Sequence, residues 1–452
     1  MTDDYLNILD PIVFDNSIES LQYSEYSPHS QSNLKGTVKI EINASDVYLI
    51  PAKSFIQIKG QLVKDDDTPF DADSQITLVN NAMMYLFKSI TYQIGGTVVE
   101  TITSPGQITS MFGYLSYPDD FNTSVGLMSC WSKDTTNHAN SAKYSQTPAV
   151  AAGAAIVAGH FTPRENPNYN QGFAARRAFL MDADPRGSFS FLIPFEHVFG
   201  FASYNKVIYN MKHLLEFVRY SSDNEAIHRA NGVPDGKINF TSITWRVPYV
   251  KLEVGKLMEL RSIVDSKKKI PVGFQARTTD STTVDQVRNF TWRINVLSGV
   301  EKLRWIIVGF QTNKNRTQEQ NPAVFDNLNL SKATARLNNE NYPVEDMVIN
   351  FPANDYTVLY EMFDNFKKEY YGFNSLVGGT QVNFSSFKTL YPIIVFDVRH
   401  QSEKLAVGII DIQLKFEFRD VVPANTEVYV TTISDRVYQL ESDGKNLVMV
   451  SK

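Results

Sequence analysis

The sequence predicts an all-β chain: two tandem eight-stranded jelly-roll β-sandwich domains, with short accessory helices and one long loop insertion. Period-2 alternation of apolar and polar residues recurs along the chain, as expected of half-buried strands. Polar turns marked by Gly and Pro separate many short strands, which favours sandwiches over other all-β forms. A loose internal echo, about 200 residues apart, suggests two halves of one plan. Phe191-Leu192-Ile193-Pro194 leads to Lys212–Arg219 much as Leu390–Ile394 leads to Ile412–Arg419. In that echo Leu214 matches Leu414, Val218 matches Phe418 and Arg219 matches Arg419 at a single offset.

The elements follow in order. Residues 1–34 form a polar, acidic arm with scattered apolar residues such as Ile8, Ile12, Val13 and Phe14, either loose or docked on a neighbour. The first jelly roll is expected over 35–255. Ile56, Ile58 and Leu62 share one face of a strand with Gly60, while Gln57, Lys59 and Gln61 face the other way. Thr91–Ile94 and Thr97–Glu100 flank Gly95-Gly96, a hairpin signal because both turn positions tolerate positive φ. Ile108, Met111, Phe112 and Leu115 recur at helical spacing behind Ser104-Pro105, the expected cap and first turn. Residues 118–185, including Ala-rich Ala149–Gly159, have no clear period and read as a loop insertion that rises on the outer surface or wraps a neighbour. Strands at 188–194, 206–220 and 243–252 close the first half.

A joint is expected over 256–285, with Lys267-Lys268-Lys269 and the polar run Thr278–Thr283. The second jelly roll follows over 286–440, and 441–452 is a C-terminal tail. It opens with Trp292, Ile294 and Val296 alternating with Arg293, Asn295 and Leu297. Leu303–Phe310 is apolar almost throughout and reads as a strand covered on both faces. Leu359, Met362, Phe363, Phe366 and Tyr370 mark a second amphipathic helix with Asn354 or Asp355 as N-cap. The clearest strand is Ile410–Phe418, with Ile410, Ile412, Leu414, Phe416 and Phe418 inward and Asp411, Gln413, Lys415 and Glu417 outward.

Composition limits the function classes. A chain of 452 residues with 43% hydrophobic and 20% charged residues is long and apolar enough for two or three packed domains, not a disordered one. The net charge of -6 argues against nucleic-acid binding over the whole surface. Cys130 is the only cysteine, which excludes an intrachain disulfide and a zinc site with several thiolates. Met1–Tyr5 lacks the basic and apolar regions of a signal peptide, and no run of about 18 apolar residues occurs. Synthesis in the cytosol is therefore expected, and sequons such as those at Asn122 and Asn289 read as chance.

No residue set carries recognisable chemistry, so no catalytic, cofactor-binding or metal residues are assigned. The histidines are dispersed without metal-ligand spacing; His197 and His213 lie in strand-like segments and read as structural. Cys130 beside Trp131 has no recognisable base. Asp65-Asp66-Asp67 with Asp71 and Asp73 is the best cation candidate, but it lacks the EF-hand order and reads as a solvated turn. Gly95-Gly96 and Gly378-Gly379 are turn glycines, with no phosphate-loop pattern around them. Lys267–Lys269 reads as a solvated bend, and Arg176-Arg177 as a solvated surface pair that meets an acidic neighbour only as the lesser alternative. The two amphipathic helices lack a basic opposite face and are expected to pack on the barrel ends.

Several segments resemble double jelly-roll major capsid proteins. They are Phe191–Phe201, Lys206-Val207-Ile208, His213–Arg219, Ile243–Pro248, Ile306–Thr312, Phe325–Leu330 and Leu337–Pro343. The resemblance is to the broad adenovirus-type lineage, closest to Polinton and adintovirus-like invertebrate-associated viruses, and spans roughly 45–440 with 118–185 unmatched. It implies two rolls side by side, a pseudo-hexagonal homotrimer, and an icosahedral shell around a double-stranded DNA genome. Neighbouring capsomers, penton and minor capsid proteins are then the partners, without sequence-specific nucleic-acid binding, and the virion is the location. The expected function is thus a non-enzymatic shell subunit; the alternative is a receptor- or glycan-binding sandwich of spike or lectin type.

Overall fold

The computed structural model describes residues 17–29, 34–43, 47–145, 164–294, 302–345, 347–372, 380–400, 410–442 and 447–451. The first part of the arm, the Ala-rich run Ala149–Gly159, Val296 with Leu297, and Gly378-Gly379 lie outside the described residues.

Eight main strands build the first roll: β1 (Ile18–Tyr26), β2 (Thr37–Asn43), β3 (Phe55–Lys64), β4 (Phe87–Ile94), β5 (Thr97–Thr103), β6 (Ser188–Pro194), β7 (Lys212–Arg219) and β8 (Gly236–Leu252), with the two-residue strands Tyr48–Leu49 and Ile208–Tyr209 added beside β8. They pair antiparallel into two sheets ordered β1-β8-β3-β6 and β2-β7-β4-β5. The second roll repeats the plan with β9 (Ile270–Val284), β10 (Asn289–Ile294), β11 (Lys302–Thr312), β12 (Leu330–Leu337), β13 (Glu340–Tyr342), β14 (Ile394–Asp397), β15 (Ile412–Phe418) and β16 (Thr426–Ser442). Its sheets run β9-β16-β11-β14 and β10-β15-β12-β13, the same order strand for strand. The chain is therefore a double jelly roll, with neighbours in each sheet that are far apart in sequence.

Local chemistry explains the elements. β3 buries Ile56, Ile58 and Leu62 and turns Lys59 outward, as its alternation predicts. Gly95 and Gly96 adopt φ of 57° and 86°, the two positive values a two-residue β-hairpin turn needs, and join β4 to β5. In the second roll the two-residue turn at 338–339 joins β12 to β13, with Asn338 at φ 52°. β11 is buried on both faces apart from its ends and Arg304, because its neighbours and the other sheet cover it.

The internal echo holds for the topology and slips by one residue in register. His213 faces Ile94 across the sheet and Ile412 faces Leu337, and each of these partners immediately precedes a hairpin turn. His213 therefore corresponds to Ile412, Leu215 to Leu414 and Phe217 to Phe416, all buried. Leu214 and Val218, which the 200-residue offset pairs with Leu414 and Phe418, lie on the half-buried outer face. A one-residue slip exchanges the two faces of a strand, so burial decides the alignment that letter similarity missed.

Three segments expected to be irregular carry regular structure. Residues 18–26, counted with the arm, are the first strand of the first roll and pair with β8 from Ile18↔Leu252 to Tyr26↔Trp245. Residues 270–284, counted with the joint, form the matching first strand of the second roll, paired with β16 along their whole length. Both are edge strands with one solvated side, so their polar residues mask the alternation. Within the tail, Leu447–Ser451 adds to β16. Between the rolls lies a helix, Val254–Asp265, none of whose residues is buried.

The helices differ from expectation in place and in caps. The first, α1 (Pro105–Ser116), buries all twelve of its residues instead of a narrow face. Ser104 precedes it at φ 46° and makes no side-chain cap bond. The later helix, Thr357–Tyr371, starts after Tyr356, not after Asn354 or Asp355, and buries Leu359, Phe363, Phe366 and Lys367. The two helices meet each other between the rolls: Phe112 lies edge-on to Phe366 and Tyr370, at 6.0 and 5.6 Å. The insertion at 118–185 also turns inward. Trp131, Asp134, Asn170, Phe173 and Arg176 are buried, so these parts of it pack into the fold and are not a surface loop, and Trp131 and Asp134 reach the second roll.

Candidate functional site: the seam between the rolls

The most heavily built polar region is the seam where the two rolls meet, and it consists of two clusters. The first centres on Arg176, in a helix (Gln171–Met181) whose start is capped by the Asn170 side chain, which accepts from Phe173 N. The guanidinium is buried. Its Nε donates to Leu78 O at 2.8 Å, Nη1 to Ser132 O, and Nη2 to Asp134 Oδ1 at 2.7 Å. Asp134 reaches the second roll through Oδ2, which accepts from Asn321 Nδ2 at 2.9 Å, and through its carbonyl, which accepts from Tyr391 OH at 2.7 Å. Tyr114 and Tyr85 of the first roll donate to Ala323 O and Pro322 O of the second, at 2.8 and 2.7 Å. Gln381 returns the contact by donating to Gly113 O at 2.8 Å while accepting from Trp131 Nε1 at 3.3 Å. A Cβ on Gly113 would lie 2.3 Å from the Trp131 ring, so that helix position has room only for glycine.

The second cluster holds Glu100, fully buried on β5. Its carboxylate accepts from Gly200 N, Phe201 N and Arg277 N at 3.2, 2.7 and 2.7 Å. Burial nevertheless raises its pKa, against these donors and the nearby Arg277 and Arg436 charges. The Arg277 guanidinium stacks 3.7 Å from the Phe112 ring and donates to the carbonyls of Glu196, His197 and Val198. Main chain approaches main chain here: a Cβ on Gly200 would sit 1.9 Å from Gln275 O. His197, in a four-residue helix and not in a strand, is held neutral. Burial, assisted by Arg277, lowers its pKa to about 3. Asn81 donates through Nδ2 to Thr109 and Ser110, so its Oδ1 accepts from His197 Nε2 at 3.0 Å and Nδ1 accepts from Tyr117 OH at 2.6 Å.

The other sequence candidates lie apart from one another. Cys130 is buried with Sγ 3.7 Å from Val79 O, and burial pushes its thiol up to about 11, far from a nucleophile's range. His213 lies in β7, with Nδ1 2.9 Å from Tyr92 OH, and burial lowers it to about 4. Asp66 accepts from Thr68, and Asp67 from Asn239 and Lys237, inside the turn after β3. Lys267 to Lys269 are exposed, and Lys269 pairs with Glu441. Arg177 donates to Ser74 O and Ala72 O, whereas its neighbour Arg176, read as solvated, is the centre of the seam. Among the described residues no group of three or more His, Cys, Asp or Glu side chains is placed to hold a metal ion. No helix among them is long and apolar enough to cross a membrane. A cleft of about 340 Å³ beside Asn137, His138, Asn140, Arg229 and Glu319 is lined by amides and charges, without an aromatic platform.

Sequence reasoning missed Asp134, Glu100, Arg277, Asn321 and Gln381. Only Glu100 left a local signal: it shares the parity of Ile102 on β5, which places a carboxylate on a buried face. Among the described residues the seam's polar groups bond mostly to one another, with Arg277 Nε left without a hydrogen-bond partner; what these bonds accomplish is to fix one roll against the other.

A family profile for the double jelly roll-like domain matches residues 168–438. No curated protein sequence matches the chain. Among solved structures, the chain is similar to one from the Sputnik virophage at 11% identity, covering 100% of this chain and 92% of that one with a TM-score of 0.57. It is similar to the Faustovirus major capsid protein at 8% identity, covering 96% and 93%, TM-score 0.54. The mavirus major capsid protein gives 10% identity, coverage of 98% and 92%, and a TM-score of 0.50.

Proposed function

The chain belongs to the double jelly roll-like domain family, and on that premise we propose that it is a major capsid protein, a structural subunit and not an enzyme. The carrying observation is that two rolls of identical strand order are locked side by side by a buried seam. Likeness over nearly the whole chain to the Faustovirus and mavirus major capsid proteins supports the same reading. Three subunits form a homotrimer of six rolls with a pseudo-hexagonal outline, and these trimers tile an icosahedral virion around a double-stranded DNA genome. Penton and minor capsid proteins complete the shell. The segments quoted above favour the Polinton and adintovirus-like branch of the adenovirus-type lineage. The unit boundaries that suit this assembly are a first roll from β1 to β8, a joint over 253–269 and a second roll from β9 to β16.

Negative-stain imaging of the purified protein tests the reading. Hexagonal outlines or closed shells are expected. Isolated globular particles under all salt and pH conditions, together with binding on a glycan array, would replace it with the receptor-binding alternative.

A further inference from the structure

The helix Val254–Asp265 lies between the rolls with none of its twelve residues buried. A helix that short is marginal in water on its own and normally gains stability by packing an apolar face. Leu257 and Leu260 give it a partial footing on the cluster of Tyr48, Ile50 and Val250. A second side is open. Val254, Met258 and Arg261 recur there at i, i+4 and i+7, with Val254 61% and Met258 66% exposed. The same stretch is basic: over 254–269, Lys256, Arg261 and Lys267–Lys269 outnumber Glu259 and Asp265, for a net charge of +3. Lys256 bonds Glu259 and Lys269 bonds Glu441, both as exposed pairs that water screens. An exposed apolar side with a basic border is a surface that folded proteins normally cover.

The chain enters the fold at the foot of this helix. Ser17 O accepts from the N–H of Glu253, the residue that caps the helix, at 3.0 Å, and Ile18 pairs with Leu252. The sixteen residues before that point complement the open side in composition. They hold Asp3, Asp4, Asp10 and Asp15 without a Lys or Arg, and they are apolar around Ile12, Val13 and Phe14. Reach is ample: half of them extended span roughly 26 Å, and a twelve-residue helix is about 18 Å long.

We propose that residues 1–16 dock on the Val254–Met258–Arg261 side of this helix in their own chain. The apolar residues of the arm cover Val254 and Met258, and its aspartates meet Arg261 and the Lys267–Lys269 end. The proposal goes beyond the capsid reading and does not depend on it.

Hydroperoxide footprinting of the full chain, read by mass spectrometry, tests it. Met128, 46% exposed, is the internal reference. Methionine oxidation follows exposure, so an open helix side would let Met258 react faster than Met128. Slower oxidation of Met258 than of Met128 is expected, with a rise of about threefold or more at Met258 alone when residues 2–16 are removed. Asp10→Lys combined with Asp15→Lys keeps the chain length and should expose Met258 in the same sense, which decides the matter if the shortened chain folds poorly. A Met258 that already reacts faster than Met128, and is unchanged by either variant, would overturn the proposal. Carbodiimide cross-linking of an equal mixture of unlabelled and heavy-nitrogen chains identifies whose arm it is. Links from the aspartates of 1–16 to the lysines of 256–269 within single-isotope chains only are expected. Mixed-isotope links would give the helix side to the arm of a second copy, and an absence of arm-to-helix links would leave it uncovered; either contradicts the proposal and leaves the capsid reading intact.

Discussion

The two rolls share a strand order but spend very different lengths of chain between their fifth and sixth strands. In the first roll that connection runs over 104–187 and supplies α1, Trp131, Asp134 and Arg176 to the seam. In the second it runs over 343–393 and supplies the later helix, Gln381 and Tyr391. The sheets are thus the repeated part, and the connections are where the halves specialised to hold each other. A duplicated fold keeps its barrel cores alike because each must fill the same sandwich, whereas the seam needs complementary and not identical surfaces.

Breaking the seam should cost more than disturbing either surface. Asp134→Ala leaves the Arg176 guanidinium buried without its carboxylate, and a loss of about 3–5 kcal/mol is expected. The exposed pair Lys133–Asp119, one residue along, should lose no more than about 1 kcal/mol when Asp119 is replaced by Ala. Urea unfolding of the two variants measures the contrast, and equal losses would remove Asp134 from the centre of the seam.

The register of the repeat is tested next. Phe217→Ala and Phe416→Ala, at corresponding buried positions, should each lose about 3–5 kcal/mol. Val218→Ala, on the half-buried face, should lose less than either. A Val218 variant as damaging as Phe217→Ala would favour the 200-residue offset instead.

The smallest effect concerns pH. Glu225 of the first roll accepts from Gln107 Nε2 at 2.7 Å, and burial, reinforced by Glu427 of the second roll, pushes it up to about 7. Because the folded chain holds this proton more tightly than the ordinary carboxyl at 4.5, the proton's stabilising contribution is full below that pH. It is lost as pH rises towards 7. Thermal unfolding across that window should show the decline in the wild type and a flatter profile in Glu225→Gln. An identical slope in both would assign the decline to other groups.

The barrel strands were legible because a half-buried strand writes its burial into alternate residues, as β3 and β15 do. The edge strands β1 and β9 were not, since one open side lets polar residues such as Thr278–Thr283 occupy a true strand. The seam was almost invisible. Arg176 looks solvated beside Arg177 until the fold brings Asp134 to it from 42 residues away, and nothing in the local pattern records that partner. The helix α1 reads as amphipathic, yet its polar residues are buried too: Thr109 and Ser110 meet Asn81 and Gln107 meets Glu225, all partners distant in sequence. Burial by a distant element leaves no periodic trace.

The most direct test of the central claim, that two locked rolls form one capsid subunit, is the mass of the purified chain in solution by light scattering. Three chain masses, stable across moderate salt and pH, are predicted. A folded monomer that never assembles would contradict the claim.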